Sequence, residues 1–148
     1  MCGITGVFDT RSTSEIDRNL LHRMNETLIH RGPDEGEVYV ESGLGLGHRR
    51  LSIMDVSSGQ QPLFNEDGSV VVVFNGEIYN FQKLVGELTA LGHRFRTHCD
   101  TEVIVHAWEE WGERCVERFS GMFAFGVWDR NRQTLFMARD RLGIKPFY

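Results

Sequence analysis

The chain has 148 residues, of which 41% are hydrophobic and 25% charged, and its formal net charge is −5. This length predicts one domain that can bury a stable core without disulfides or a metal. The dispersed Lys and Arg residues argue against nucleic-acid binding, and no apolar stretch is long enough to predict a membrane span. Three cysteines without a CxxC pair argue against a disulfide framework and favour the reducing cytoplasm.

Apolar patterning in the first half of the chain predicts strands separated by a helix. Residues 3–8 alternate small and apolar side chains and predict a buried strand. The apolar repeat over 14–29 predicts a helix, with Ser12 or Ser14 as its N-cap. The segment 30–34 predicts a turn, and 37–41 and 44–48 predict a pair of strands.

The second half of the chain also predicts both strands and helices. Four valines and Phe74 predict a strand over 70–74 that ends at Asn75-Gly76. A helix ending at Gly92, a short strand over 94–97 and a helix over 101–111 follow, and 122–128 with 134–138 predict a hairpin. This order indicates an α+β fold with helices on the faces of antiparallel sheet. The apolar, aromatic end at 146–148 is atypical of a domain terminus and predicts a C-terminally incomplete domain.

Cys2 follows the initiator methionine directly. Removal of Met1 would give Cys2 a free α-amine, whose ordinary pKa of about 7.7–8.0 suits a general base beside a thiol nucleophile. Retention of Met1 would leave that nitrogen as a peptide amide, so Met1 is interpreted as an activation switch. The alternative is that Cys2 is a small apolar residue at the start of a buried strand.

Polar residues near predicted turns offer further candidate site groups. Arg50 could place a guanidinium where it binds a carboxylate, whereas Arg49 is better interpreted as a surface residue. Asn75 could supply a side-chain amide and Gly76 a backbone N–H to an oxyanion hole, although Asn-Gly also suits a hairpin turn. Asp100 stands where a helix N-cap belongs, and its carboxylate could also hold an ammonium group.

Soft or borderline metal ligands are present, but their spacing matches no zinc pattern. The residues concerned are His93, His98, Cys99, His106 and Cys115. We therefore expect no metal site.

Eight motifs in order carry a resemblance to a known family. They are Cys-Gly-Ile at 2–4, His-Arg-Gly-Pro-Asp at 30–34, Arg-Leu-Ser-Ile at 50–53, Gln-Pro-Leu-Phe-Asn at 61–65, Asn-Gly-Glu-Ile-Tyr-Asn at 75–80, Asp-Thr-Glu at 100–102, Gly-Met-Phe-Ala-Phe at 121–125 and Arg-Asp-Arg-Leu-Gly-Ile-Lys-Pro-Phe-Tyr at 139–148. Over its whole length the chain resembles the class II glutamine amidotransferase domain, an N-terminal-nucleophile (Ntn) hydrolase, in its asparagine-synthetase branch.

The resemblance implies a role for each matching residue. Cys2 is the nucleophile that attacks the side-chain amide of L-glutamine through a γ-glutamyl thioester, and Asn75 and Gly76 form the oxyanion hole. The α-carboxylate of glutamine is bound by Arg50, and its α-ammonium group by Asp100 with help from Glu77. Groups near Leu51 and Ile53 line the pocket.

The resemblance also implies the architecture and the partners. The expected fold is a four-layer αββα sandwich, and residues 1–148 are a glutaminase domain that needs no cofactor. A synthetase domain, absent from this chain, would use ATP and Mg²⁺ to join the ammonia to a carboxylate, with aspartate the obvious acceptor. A homodimer is left open. The alternative function is a non-catalytic or regulatory binding module that kept the Ntn fold.

Overall fold

The computed structural model describes residues 2–11, 15–52 and 59–148. Its strands are β1 (Gly3–Phe8), β2 (Glu35–Glu41), β3 (Leu44–Arg50), β4 (Leu63–Phe64), β5 (Val70–Ile78), β6 (Gly121–Asp129) and β7 (Thr134–Arg139). Its helices are α1 (Arg18–Glu26), α2 (Phe81–Ala90), α3 (Asp100–Trp111) and α4 (Cys115–Arg118), with a 3-10 turn at Gly112–Arg114 before α4. No helix of the described residues is long and apolar enough to cross a bilayer.

Two antiparallel sheets form the centre of the molecule. One has the strand order β1-β3-β2 and the other the order β4-β5-β6-β7. Helix α1 packs on the three-stranded sheet, and α3 packs on β4 and β5 with α2 beside it. This arrangement confirms the predicted αββα sandwich.

Side-chain alternation along β5 divides the core into two parts. Val70, Val72 and Phe74 pack toward the helices, in the larger apolar cluster with α3. Val71 and Val73 point to the other side, where they pack against Leu44, Leu46 and Trp128 between the sheets. Asn75 continues the second series, so its side chain follows Val71 and Val73 into the space between the sheets.

Several predicted boundaries are wrong, and hydrogen bonding explains why. Helix α1 begins later than expected because Asp17 is its N-cap, with Oδ1 accepting from Asn19 N at 2.9 Å. The predicted caps, Ser12 and Ser14, lie outside the described residues. The segment 94–97 is not a strand. Its backbone N–H groups at Arg96 and Thr97 donate instead to the carboxylate of Glu102.

Strand β5 does not end at Asn75-Gly76 as predicted. It continues to Ile78 because β6 stays paired with it, with Gly76 opposite Phe123 and Ile78 opposite Gly121. A Cβ built on Gly76 would lie 2.7 Å from the Cα of Phe123 and would also overlap the carbonyl oxygen of Met122. Glycine is required here by the close approach of two strands and not by a turn. The hairpin of β6 and β7 and the helix that ends before Gly92, at φ 106°, are confirmed.

Candidate active site

A cavity of about 170 Å³ lies where the second half of β5, the end of β3 and the start of α3 meet. Its walls bring together seven of the predicted site residues, namely Cys2, Arg50, Leu51, Asn75, Gly76, Glu77 and Asp100. The eighth, Ile53, lies outside the described residues. A larger apolar groove of about 760 Å³ between the sheets shares Cys2 and Asn75 with this cavity.

Cys2 is placed by the first residue of β1. Gly3 pairs with Arg49 on β3, and the Arg31 guanidinium donates two bonds of 3.4 Å to the Cys2 carbonyl oxygen. The Cys2 thiol is partly exposed to the cavity and lies 3.9 Å from the Leu51 carbonyl oxygen. Of the other two cysteines, Cys99 is buried but also lines the cavity, whereas Cys115 is buried away from it, and burial raises the pKa of Cys115 to about 12.

The outer edge of β5 supplies the donors of the cavity. Because β4 begins only at Leu63, opposite Val72, the even-numbered N–H groups of β5 beyond Val72 have no strand beside them. Phe74 N donates to Gln61 Oε1 at 2.7 Å, and Ile78 N donates to Asp100 Oδ2 at 2.8 Å. The Gly76 N–H points to the same edge between these two bonds, and no acceptor among the described residues occupies it.

The side chain of Asn75 completes this set of donors. It is buried and makes no hydrogen bond to the rest of the described chain, although its backbone stays in the ladder with β6. A side-chain amide and a backbone N–H on consecutive residues can both point toward the oxygen of a bound amide. The structure therefore places two potential oxyanion donors on the cavity that the Cys2 thiol lines.

Asp100 is not the N-cap of α3, contrary to the prediction. Cys99 holds that position, and Asp100 is the first helical residue, with a carboxylate that bonds across to β5. Burial raises the pKa of Asp100 to about 6, a shift that Glu77 adds to and that the bond from Ile78 N opposes. The carboxylate is thus ionised at neutral pH, but protein groups stabilise its negative charge poorly. This is what a binding site for a cationic ligand requires.

The two neighbouring arginines on β3 have different surroundings. Arg50 is buried on the cavity wall, and its Nη1 pairs with Glu35 at 3.2 Å. Arg49 is also buried, so its assignment as a surface residue is wrong. Its Nε donates to Gly32 O at 2.9 Å and its Nη1 contacts Glu26, which fixes the turn after α1 against β3.

His48 is a structural residue and not a base. Burial lowers its pKa to about 4, with the nearby Arg50 contributing and the bond to Phe74 opposing. The ring is therefore neutral at pH 7, and its Nε2 donates to Phe74 O at 3.2 Å because a carbonyl can only accept. This bond joins β3 to β5 next to the cavity.

The cavity has three polar residues that were not assigned from the sequence, namely Gln61, Thr101 and Lys145. Gln61 is buried and joins β5 to α3, with Oε1 on Phe74 N and Nε2 3.3 Å from Thr101 Oγ1. Lys145 is buried on the cavity wall, held through its backbone N by Asp140 Oδ2 at 2.9 Å. All three belong to the motifs quoted above, but a motif does not separate cavity residues from packing residues.

The sequence matches a known protein family over its whole length. Residues 1–148 match the family described as "Glutamine amidotransferase domain". The chain is 44% identical over its whole length to asparagine synthetase [glutamine-hydrolyzing] 3 of Bacillus subtilis and 44% identical to asparagine synthetase [glutamine-hydrolyzing] 2 of rice, and it covers 24% and 25% of their lengths. The chain thus spans about a quarter of these relatives.

A solved structure supports the fold independently. The glutamine phosphoribosylpyrophosphate amidotransferase of B. subtilis superposes with a TM-score of 0.73 at 20% identity, over 99% of this chain and 38% of that one. At that identity the likeness bears on the fold alone, and it agrees with the two-sheet sandwich. The match over the full length establishes that the chain belongs to the glutamine amidotransferase domain family.

Proposed function

We propose that this chain hydrolyses the side-chain amide of L-glutamine to glutamate and ammonia, with Cys2 as the nucleophile. The observation that carries the proposal is the composition of one cavity, which combines a thiol, two potential oxyanion donors, a buried guanidinium and a buried carboxylate. Glutamine is a zwitterion with an uncharged side-chain amide. Arg50 would bind its α-carboxylate, Asp100 and Glu77 its α-ammonium group, and Asn75 and Gly76 the amide oxygen.

The proposed reaction has two steps. In the first, the α-amine of Cys2 accepts the thiol proton as the sulfur attacks the amide carbon, and Asn75 and Gly76 hold the resulting oxyanion. The C–N bond then breaks, and ammonia leaves with the proton that the α-amine returns to it. In the second, water attacks the γ-glutamyl thioester, which releases glutamate and restores the thiol. The α-amine can serve as the base only after Met1 is removed, because it is otherwise a peptide amide.

The partner of this chain is proposed from its relatives. Because the chain matches the first quarter of glutamine-hydrolysing asparagine synthetases, we propose that its ammonia is passed to a synthetase domain of the same protein. That domain would use ATP and Mg²⁺, whereas the cavity described here would need no cofactor. Aspartate is the first acceptor to test, and the reducing cytoplasm is the proposed compartment.

Ammonia release from glutamine, without ATP, tests the proposal and its alternative. Protein whose intact mass shows loss of Met1 should release ammonia and glutamate in equal amounts. A processed, full-length protein that binds glutamine but releases no ammonia would instead be a binding module.

Arg50 and Arg49 provide a matched pair for testing substrate binding. We expect Arg50→Ala to raise KM for glutamine at least about 30-fold, since loss of one partner of a buried charge pair costs about 2 kcal/mol or more. Arg49→Ala should lower stability with little change in KM, because Arg49 bonds Gly32 and Glu26 and does not line the cavity. Equal KM values for the two variants would show that Arg50 does not bind glutamine.

A further inference from the structure

Two histidines that are 13 positions apart in the sequence lie side by side at α3. The rings of His93, in the segment after α2, and His106, on α3, have centroids 5.0 Å apart. Together with Glu109 they present ligand atoms that all lie within 4.8 Å of one another. None of the three lines the cavity that contains Cys2.

The Nδ1 atoms of both rings converge on one carboxylate oxygen. Glu109 Oε2 lies 3.0 Å from His106 Nδ1 and 3.6 Å from His93 Nδ1. A fourth atom, Glu66 Oε2 in the turn between β4 and β5, lies 3.8 Å from His106 Nδ1. Ligands at about 2.1 Å from a tetrahedral zinc ion are about 3.4 Å from one another, so the 3.0 and 3.6 Å spacings suit His93, His106 and Glu109 as three ligands of one ion.

The groups behind these atoms hold them in place. The second oxygen of Glu109 accepts from Asn65 Nδ2 at 2.6 Å, and the second oxygen of Glu66 accepts from Arg94 N at 3.2 Å. The far nitrogen of each ring also faces a carboxylate. His106 Nε2 lies 3.6 Å from Glu102, and His93 Nε2 lies 3.4 Å from Glu110. A histidine that binds a metal through one nitrogen commonly faces a carboxylate with the other.

The charge around the two rings also favours a cation. Glu66, Glu102, Glu109 and Glu110 all face them, and no ion pair of the described residues joins these four carboxylates to a Lys or Arg side chain. His106 is fully buried, and its Nε2 lacks a hydrogen-bond partner among the described residues. The imidazoles and a bound ion are therefore the sources of positive charge that could contact these carboxylates directly.

We propose that His93, His106 and Glu109 form a binding site for a divalent transition-metal ion of the Zn²⁺ class. Two imidazole nitrogens with one carboxylate oxygen suit such an ion better than Mg²⁺ or Ca²⁺, which prefer oxygen ligands alone. The ion would hold the segment after α2 against α3. The expectation of no metal site rested on spacing in the sequence, whereas the fold brings His93 next to His106.

Zinc titration of the purified, chelator-stripped protein tests this site. The wild type should bind Zn²⁺ and show a rise in Tm, and Mg²⁺ at the same concentration should leave Tm unchanged. His93→Gln should weaken this binding at least tenfold and abolish the rise in Tm. The control is His22→Gln, which changes an exposed histidine on α1 and should behave as the wild type.

Two further measurements keep the result specific. Glu109→Gln, which changes the carboxylate ligand, should also weaken Zn²⁺ binding, and bound Co²⁺ should show the strong visible absorption of a tetrahedral site. Zinc bound by the Cys2 thiol would still bind to His93→Gln, so this variant distinguishes binding at Cys2 from binding at the two histidines. Equal Zn²⁺ binding by His93→Gln and His22→Gln, or none by the wild type, would overturn the proposal and leave the imidazoles as protonated partners of the carboxylates.

Discussion

The two halves of strand β5 differ in what satisfies their outer backbone groups. Around Val71 and Val72, β5 is paired on both sides, by β4 and by β6. Beyond Val73 no strand pairs with β5 on the β4 side. There the side chains of Gln61 and Asp100 accept hydrogen bonds from the N–H groups of Phe74 and Ile78. Because β4 begins only opposite Val72, the Gly76 N–H is available to a ligand, while the N–H groups of Phe74 and Ile78 are satisfied by side chains. The comparison shows how an ordinary strand can also serve as the wall of a site.

The largest expected effect comes from Gly76→Ala, which should disrupt the half of β5 that has no β4 beside it. The new methyl group would overlap the β6 backbone at Met122 and push β5 away from β6. We expect glutamine hydrolysis to fall about 100-fold or more, as for loss of an oxyanion donor. The matched control is Gly126→Ala on β6, where a Cβ would meet only Val73 and Leu135 side chains at 3.8 and 3.9 Å. Similar kcat values in the two variants would contradict the role given to Gly76.

Asp100→Asn should separate binding from stability. The amide keeps an oxygen for Ile78 N–H but removes the charge, so KM for glutamine should rise about 30-fold or more. The free energy of unfolding at pH 7 should not fall. Because the folded-state pKa of Asp100 is about 6 and its ordinary value is 3.8, ionising it destabilises the fold as pH rises through that interval.

The pH dependence of the wild type checks the same residue. Glutamine affinity should decrease as pH falls below about 6, where Asp100 becomes protonated, and Asp100→Asn should lack this dependence. Urea unfolding and KM measured across pH 5 to 8 separate the two effects. A large loss of stability at pH 7 would mean that Asp100 is mainly a structural residue.

A smaller effect is expected from Gln61→Met, which leaves Phe74 N–H without its acceptor. The buried unsatisfied donor should cost about 1–3 kcal/mol of stability, and kcat should fall more than KM rises because Asn75 and Gly76 follow Phe74 directly. Thr101→Val is the control, since it removes only the 3.3 Å bond from Gln61 Nε2. If Thr101→Val were the more damaging of the two, the bond to β5 would not be the important one.

How much the sequence could predict depends on how local each signal is. The hairpin of β6 and β7, the helix before Gly92 and the pairing of β2 with β3 follow from short-range patterns and were predicted. The continuation of β5 through Gly76 was not, because it depends on pairing with β6 some 45 positions later in the chain. The candidate site residues came from ordered motifs, which name residues without showing what they touch.

The misplaced residues show where such reasoning stops. Arg49 differs from a surface arginine only because the chain turns back at Gly32 and buries it. Asp100 resembles an N-cap by position, yet its acceptor oxygen is used by Ile78 on a strand. His93 and His106 do not match a metal motif because the fold, and not their spacing, brings them together.

The most direct test of the central claim is covalent capture of the nucleophile by a glutamine-like electrophile, mapped by peptide mass spectrometry. Protein that has lost Met1 should be labelled at Cys2, with Cys99 and Cys115 unmodified because both are buried. Glutamine should protect against labelling, and Cys2→Ala should neither be labelled nor release ammonia. Ammonia release retained in Cys2→Ala, or a label on Cys99 or Cys115 in place of Cys2, would contradict the account.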